Sequence, residues 1–175
     1  AIQLNDPHLV GKVLQAMVST GLRPNQLEIE LTETALIHDL EQSLNVLRRI
    51  KALGVSMALD DFGTGYSALE TLRQFPFDKI KLDKGFTDGL SDGGRSRAVI
   101  GAVVTLAHNL DIPVLAEGVE TVEQLDLLNT MGCEQAQGYL IGRPAPGENG
   151  QPPAVQAVMW RPEDPAASHH TGTMG

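Results

Sequence analysis

Apolar and polar positions along the chain switch repeatedly between a helical period and a period of two. Leu9, Val10, Val13, Leu14, Met17 and Val18 form one helical face, with Asp6 as cap, Pro7 in the first position and Gly21 as stop. Residues 27–33 alternate instead, which predicts a strand carrying Glu30 and Glu33 at its C-terminal end. The helical period returns at a capping box of Asp39 and Gln42 and runs through Leu40, Leu44, Leu47 and Ile50 to Gly54. Ser56-Met-Ala-Leu59 is a short run of buried-strand type that delivers Asp60 and Asp61 to a glycine-rich turn, after which Ser67 and Glu70 cap a helix ending near Gln74. Residues 78–83 read as a strand ending in Lys81 and Asp83. A polar connection over 87–95 leads to a helix on Val99, Ile100, Val103, Val104 and Leu106 that ends near Asn109. The strand over 113–120 delivers Glu117 and Glu120, Thr121 and Gln124 cap a helix that stops at Gly132, and a weak last strand over 134–139 contains Gln137.

Helix and strand therefore repeat, and five strands separated by helices imply a parallel sheet with right-handed crossovers. Either an open doubly wound sheet or a barrel satisfies that order. An open sheet gathers its ligand residues at one switch point, whereas a barrel lets every strand end contribute to one ring; chemistry-bearing residues at every strand end favour the barrel. Residues 1–146 read as one domain. Residues 147–175 are rich in Pro, Gly, Ala and Thr and read as a flexible C-terminal tail, His169-His170 being a polar end rather than a metal site.

Composition narrows the function. A 42% hydrophobic content supports a real core, and a net charge of −9 argues against nucleic-acid polymers and anionic membrane surfaces as partners. No apolar run reaches the length of a membrane span. The lone Cys133 reads as a small buried thiol in a reducing, cytoplasmic setting. Ala1 begins neither with an initiator Met nor with a signal peptide, so the chain reads as a piece of a longer polypeptide.

Seven carboxylates (Glu30, Glu33, Asp60, Asp61, Asp83, Glu117 and Glu120), Lys81 and Gln137 make one candidate ring. Oxygen donors in that number suit Mg²⁺ or Mn²⁺, and such ions serve displacement at phosphorus. Adjacent Asp60 and Asp61 repel each other unless a cation stands near. A competing reading is a dinucleotide fingerprint in Gly63-Thr-Gly65-Tyr-Ser-Ala68, with Asp83 about 20 residues on. Two anions directly before the turn that would receive a pyrophosphate count against it.

Glu28-Ile-Glu-Leu-Thr-Glu33, Leu59-Asp-Asp-Phe-Gly-Thr-Gly-Tyr-Ser-Ala-Leu69, Lys79-Ile-Lys-Leu-Asp83, Ala116-Glu-Gly-Val-Glu-Thr121 and Gly132-Cys-Glu-Gln-Ala-Gln-Gly-Tyr139 with Arg143-Pro144 resemble, in order, the motifs of the EAL-domain cyclic-di-GMP phosphodiesterases. The resemblance implies a TIM-like (β/α) barrel, here incomplete because the Glu-Ala-Leu strand and the next would precede Ala1. It implies metal-dependent hydrolysis of cyclic di-GMP to the linear dinucleotide, with two Mg²⁺ or Mn²⁺ ions in the complete domain. Its metal ligands would be Glu30, Asp60 and Asp61, and its catalytic groups Lys81 and Glu117. Glu33 would brace the 60–67 loop, with Asp83, Glu120 and Gln137 as supporting or substrate-loop residues. It further implies sensory or cyclase domains upstream and a homodimer coupled through the 61–69 loop. A catalytically silent receptor for the same dinucleotide, or a protein-interaction module, is the alternative.

Overall fold

Five parallel strands stand side by side in chain order: β1 (Glu28–Thr32), β2 (Ser56–Phe62), β3 (Lys79–Leu82), β4 (Val114–Ala116) and β5 (Gln135–Ala136). The computed structural model describes residues 4, 6–36, 40–63, 68–91, 94–143 and 158–159. Helix α1 (Leu9–Thr20) precedes β1, and α2 (Glu33–Leu36) with α3 (Leu40–Lys51) leads to β2. Helix α4 (Ala68–Gln74) precedes β3, α5 (Lys84–Asp88) and α6 (Gly94–Asn109) lead to β4, and α7 (Val122–Thr130) precedes β5. A doubly wound open sheet reverses its strand order at a switch point; this sheet does not, so the dinucleotide reading loses its scaffold.

Parallel strands covered on both faces should read as continuous apolar runs. Met57, Ala58 and Leu59 in β2, Ile80 and Leu82 in β3, and Val114 and Ala116 in β4 are accordingly buried. Leu44, Leu47 and Ile50 turn the predicted face of α3 into the core, while Arg48, Arg49 and Lys51 fall in its last turn, where cations complement the helix dipole. Lys79 Nζ reaches Glu28 Oε2 at 2.7 Å and Lys81 Nζ reaches Glu30 Oε1 at 2.9 Å, so β1 and β3 meet across β2. Both rungs lie on one sheet face, over small Ala58. Layers built from alternate strands are the interior packing of a (β/α) barrel, and five parallel strands make an arc of its eight.

Four expectations change. Asp60 and Asp61 belong to β2 rather than to the turn after it: pairing with β3 slips between Leu59 and Phe62, and Asp61 adopts φ 54°. A bulge of this kind absorbs an extra residue and re-aims side chains without ending the strand. The polar connection after β3 contains a helix, α5, whose N-cap is Asp83: its Oδ1 accepts the Gly85 N–H at 2.9 Å. At the start of α1, Asp6 Oδ1 accepts the His8 N–H at 2.8 Å and Gly21 closes the helix at φ 72°, but the helix begins two residues after Pro7. The Thr121–Gln124 capping box forms as expected. The caps assigned to Asp39 and Ser67, and His169-His170, lie outside the described residues. Within the segment read as a tail, Val158–Met159 forms β6, antiparallel to β5.

The N-terminal ends of two strands are tied by the same device. Asp78, just before β3, accepts the Met57 N–H through Oδ2 at 2.8 Å and pairs with Lys51 Nζ at 2.7 Å. Glu134, just before β5, accepts the Val114 N–H through Oε2 at 2.8 Å and lies 2.6 Å from His108 Nε2 through Oε1. Each carboxylate satisfies a strand N–H that the sheet leaves over and holds the end of the helix before that strand.

Asp78→Ala, which strands the Met57 N–H, is expected to destabilise the fold by about 1–3 kcal/mol, and Asp78→Asn by less, in denaturant titrations. Cys133 is buried, and burial first, with the neighbouring Glu134 charge second, pushes its thiol up to about 12. A disulfide reagent at pH 8 should therefore label the folded protein at least about tenfold more slowly than the denatured one. Since the fold favours the neutral thiol, this group's contribution to stability is complete below about pH 9 and is lost as pH rises toward about 12.

Candidate functional site

Lys81 occupies the third position of β3, on the same face as Lys79 but one layer closer to the C-terminal end. It is buried, and three carboxylates from other parts of the sheet meet its ammonium: Glu117 Oε1 at 2.7 Å, Glu30 Oε1 at 2.9 Å and Asp60 Oδ1 at 3.2 Å. Glu30 comes from β1 and Asp60 from β2, while Glu117 directly follows β4. Four chain segments thus contribute to one cluster: Glu30 stands at the middle of β1 rather than at its end, Asp60 and Lys81 lie in the C-terminal halves of β2 and β3, and Glu117 directly follows β4. Burial alone would lower the Lys81 pKa; the close contacts with Glu117, then Glu30, followed by the Glu117 charge and the Asp60 contact, outweigh it and hold the value above the usual lysine range.

The carboxylates are not equivalently satisfied. The Lys81 contact to Asp60 Oδ1 lacks hydrogen-bond geometry, and that buried oxygen has no hydrogen-bond partner among the described residues. Asp61, half-buried at the bulge, has its carboxyl pushed up first by burial and then by the charges of Asp60 and Asp83, against a smaller opposing pull from Lys81. The cation required beside the aspartate pair is present as Lys81, yet one ammonium does not neutralise the group. No three acidic, His or Cys side chains among the described residues enclose a metal position by themselves, since Lys81 stands in the middle of the cluster. The donor set nonetheless fits a hard divalent cation: it is all oxygen, it carries excess negative charge, and the buried Asp60 oxygen is short of a partner.

A second group lies beside the first. The Glu117 N–H donates to Leu82 O at 3.1 Å and the Gln137 N–H to Ala116 O at 2.9 Å, extending the sheet one residue past β4 and β5. Gly118 then turns the chain at φ 68°. A cavity of about 260 Å³ opens there, lined by Lys84, Glu117, Gly118, Glu120, Gln137, Gly138 and Tyr139. Gln137 is exposed, and Glu120 pairs with Lys84 rather than with Lys81. Asp83 has one oxygen committed to the cap of α5. Glu33 is the first residue of α2, and residues 64–67 of its expected loop lie outside the described residues.

Lys84 and Tyr139 were not singled out from the sequence. Lys84 stands directly after Asp83 in a stretch too short and glycine-broken to announce a helix. Tyr139 is 56% exposed, and the Arg143 guanidinium lies over its ring at 4.6 Å from the centroid.

A family model described as the EAL domain matches residues 1–144. The chain is 52% identical over 145 residues to a signalling protein of Caulobacter vibrioides, covering 83% of this chain and 18% of that one. It spans about a fifth of the length of the first curated relatives it matches. Among solved structures, the MucR phosphodiesterase of Pseudomonas aeruginosa in complex with cyclic di-GMP is 39% identical with a TM-score of 0.79, covering 83% of this chain and 59% of that chain. BlrP1 of Klebsiella pneumoniae, in complex with manganese and cyclic di-GMP, is 38% identical with a TM-score of 0.75, covering 81% and 36%. The ordered motifs, the arc of parallel strands and these matches agree, and the chain belongs to the EAL domain family.

Proposed function

We propose that the protein containing this chain hydrolyses cyclic di-GMP to the linear dinucleotide, with Mg²⁺ or Mn²⁺ held by Glu30, Asp60 and Asp61. The observation that carries this reading is the Lys81 ammonium within 3.2 Å of carboxylates from three other chain segments, toward the strand ends where barrels place their chemistry. The cyclic di-GMP in MucR and the manganese with cyclic di-GMP in BlrP1 support the choice of substrate and ion. A divalent ion bound there supplies Lewis-acid polarisation of the phosphoryl oxygen and lowers the pKa of a water, and a second ion would join it in the complete domain.

The residues of this chain do the rest. Glu117 takes a proton from the attacking water as its oxygen forms the new bond to phosphorus, one phosphodiester P–O bond breaks, and the departing ribose oxygen takes up a proton from solvent. Lys81 carries a fixed positive charge, so it holds the water or a non-bridging phosphoryl oxygen and stabilises charge building up in the transition state. Gln137, beside Glu117 in the cavity, contacts the dinucleotide, while Asp83 and Glu120 act through the segments they hold and Glu33 braces the 60–67 loop.

The working unit is residues 1–146 together with the Val158–Met159 strand that pairs with β5, joined in the longer protein to upstream sensory or cyclase domains and able to form a homodimer. No helix among the described residues is long and apolar enough to cross a membrane, and a cytoplasmic setting accords with a soluble dinucleotide substrate.

In the full-length protein with Mn²⁺, chromatography should show cyclic di-GMP converted to linear product. Glu117→Gln should lower kcat by about 10²–10⁴-fold while the dinucleotide still binds. Binding without turnover in the unmodified protein would replace the hydrolase with a receptor. Chelation with EDTA should abolish turnover and added Mn²⁺ or Mg²⁺ restore it; turnover that persists through exhaustive chelation would remove the metal from the mechanism.

A further inference from the structure

Helix α5 touches both flanks of the Lys81 cluster. It begins three residues after Lys81, and its residues Lys84 and Phe86 lie about 200° apart around the helix axis, facing opposite sides. On one side the Phe86 ring closes against Gly63: a Cβ on that glycine would lie 2.8 Å from Phe86 Cζ. Gly63 has φ 95° and follows the bulge at Asp61, where pairing with β3 has slipped. The end of β2 that carries Asp60 and Asp61 is therefore held against a ring from the next unit. On the other side the Lys84 stem fills the space at Gly118, where a Cβ would lie 2.8 Å from Lys84 Cβ, and its ammonium pairs with Glu120 and, at 3.2 Å, with Asp88. Gly118 directly follows Glu117. Between the two contacts, buried Thr87 accepts the Gln124 side-chain N–H through its carbonyl at 3.3 Å, which ties α5 to α7.

We propose that α5 is a strut that sets the spacing of the two carboxylate arms around Lys81, with Phe86 a positioning residue for Asp60 and Asp61 and Lys84 a positioning residue for Glu117. The proposal rests on the hydrolase reading above for the tasks of those carboxylates. Its physical basis is that both arms leave the sheet through glycines in left-handed conformations, whose backbone has little local stiffness of its own. Partners that orient such ligands commonly contribute about 10–100-fold in affinity or activity.

The test separates the two flanks in the full-length protein. Phe86→Ala should weaken Mn²⁺ binding, measured by equilibrium dialysis without substrate, by about tenfold, and Phe86→Leu should restore it to within about threefold. Phe86→Val serves the same comparison if Phe86→Ala does not fold. Lys84→Ala should lower kcat by about tenfold with KM and Mn²⁺ binding within about twofold of the parent, and Lys84→Met, which keeps the stem against Gly118, should recover most of the loss. Folded variants with unchanged Mn²⁺ binding and kcat would overturn the proposal. So would parallel loss of both properties in step with the melting temperature, which would make α5 merely structural. A parent protein that binds Mn²⁺ without hydrolysing cyclic di-GMP would instead fail the hydrolase reading, and the dialysis arm would still judge the Phe86 contact.

Discussion

The buried Lys81 ammonium and the three carboxylates around it each make the others tenable. Moving an ion of either sign out of water costs several kcal/mol, so a lysine this deep in a sheet persists only with partners, and Glu117, Glu30 and Asp60 supply them. The partners come from separate chain segments, so the cluster also fixes how β1, β2, β3 and the end of β4 are arranged. Removing the cation would leave like charges facing one another in a partly dry space. Removing a carboxylate would leave the ammonium underpaired, which makes the site sensitive at every position.

Backbone geometry aims these groups. A regular strand would send Asp60 and Asp61 to opposite faces; the slip after Leu59 and the left-handed Asp61 let both remain near the cluster. Small residues do the complementary work of making room. Ala58 lets the Glu28–Lys79 rung pass over β2, and Gly138 lies so close under the Val119 backbone that no side chain fits. At the opposite end of the strands Asp78 and Glu134 clamp β2 and β4 by the same hydrogen bond, so function and anchoring occupy opposite ends of one sheet. That division is the usual one for (β/α) architectures.

Strand order and the Lys81 cluster were readable from the chain because both follow from periodicity. Apolar runs of four to seven residues ending in an acid could be found without knowing where the acids would meet. What escaped the reading depends on tertiary contacts. The strand status of Asp60 and Asp61 is set by a bulge that pairing with β3 creates, and α5 is too short for a helical period to show. Glu120 and Asp83 look identical to Glu117 and Asp60 in one dimension, each an acid after an apolar run. In space Glu120, beyond the turn at Gly118, pairs with Lys84, and Asp83, directly after β3, caps α5 through the Gly85 N–H.

Charge stoichiometry carries the argument from structure to metal. Glu30, Asp60 and Glu117 against one ammonium leave two negative charges in excess, before Asp61 and Asp83 are considered. The raised Asp61 carboxyl and the Asp60 oxygen, which has the Lys81 ion pair but no hydrogen bond among the described residues, are two local signs of that excess. A further lysine would cancel one charge but bring its own desolvation penalty and block the site. A divalent ion would cancel two in a smaller volume and take its ligands from several directions. The arrangement around Lys81 is thus left two positive charges short, which is the electrostatic basis of the proposed binding of a divalent cation with a phosphodiester.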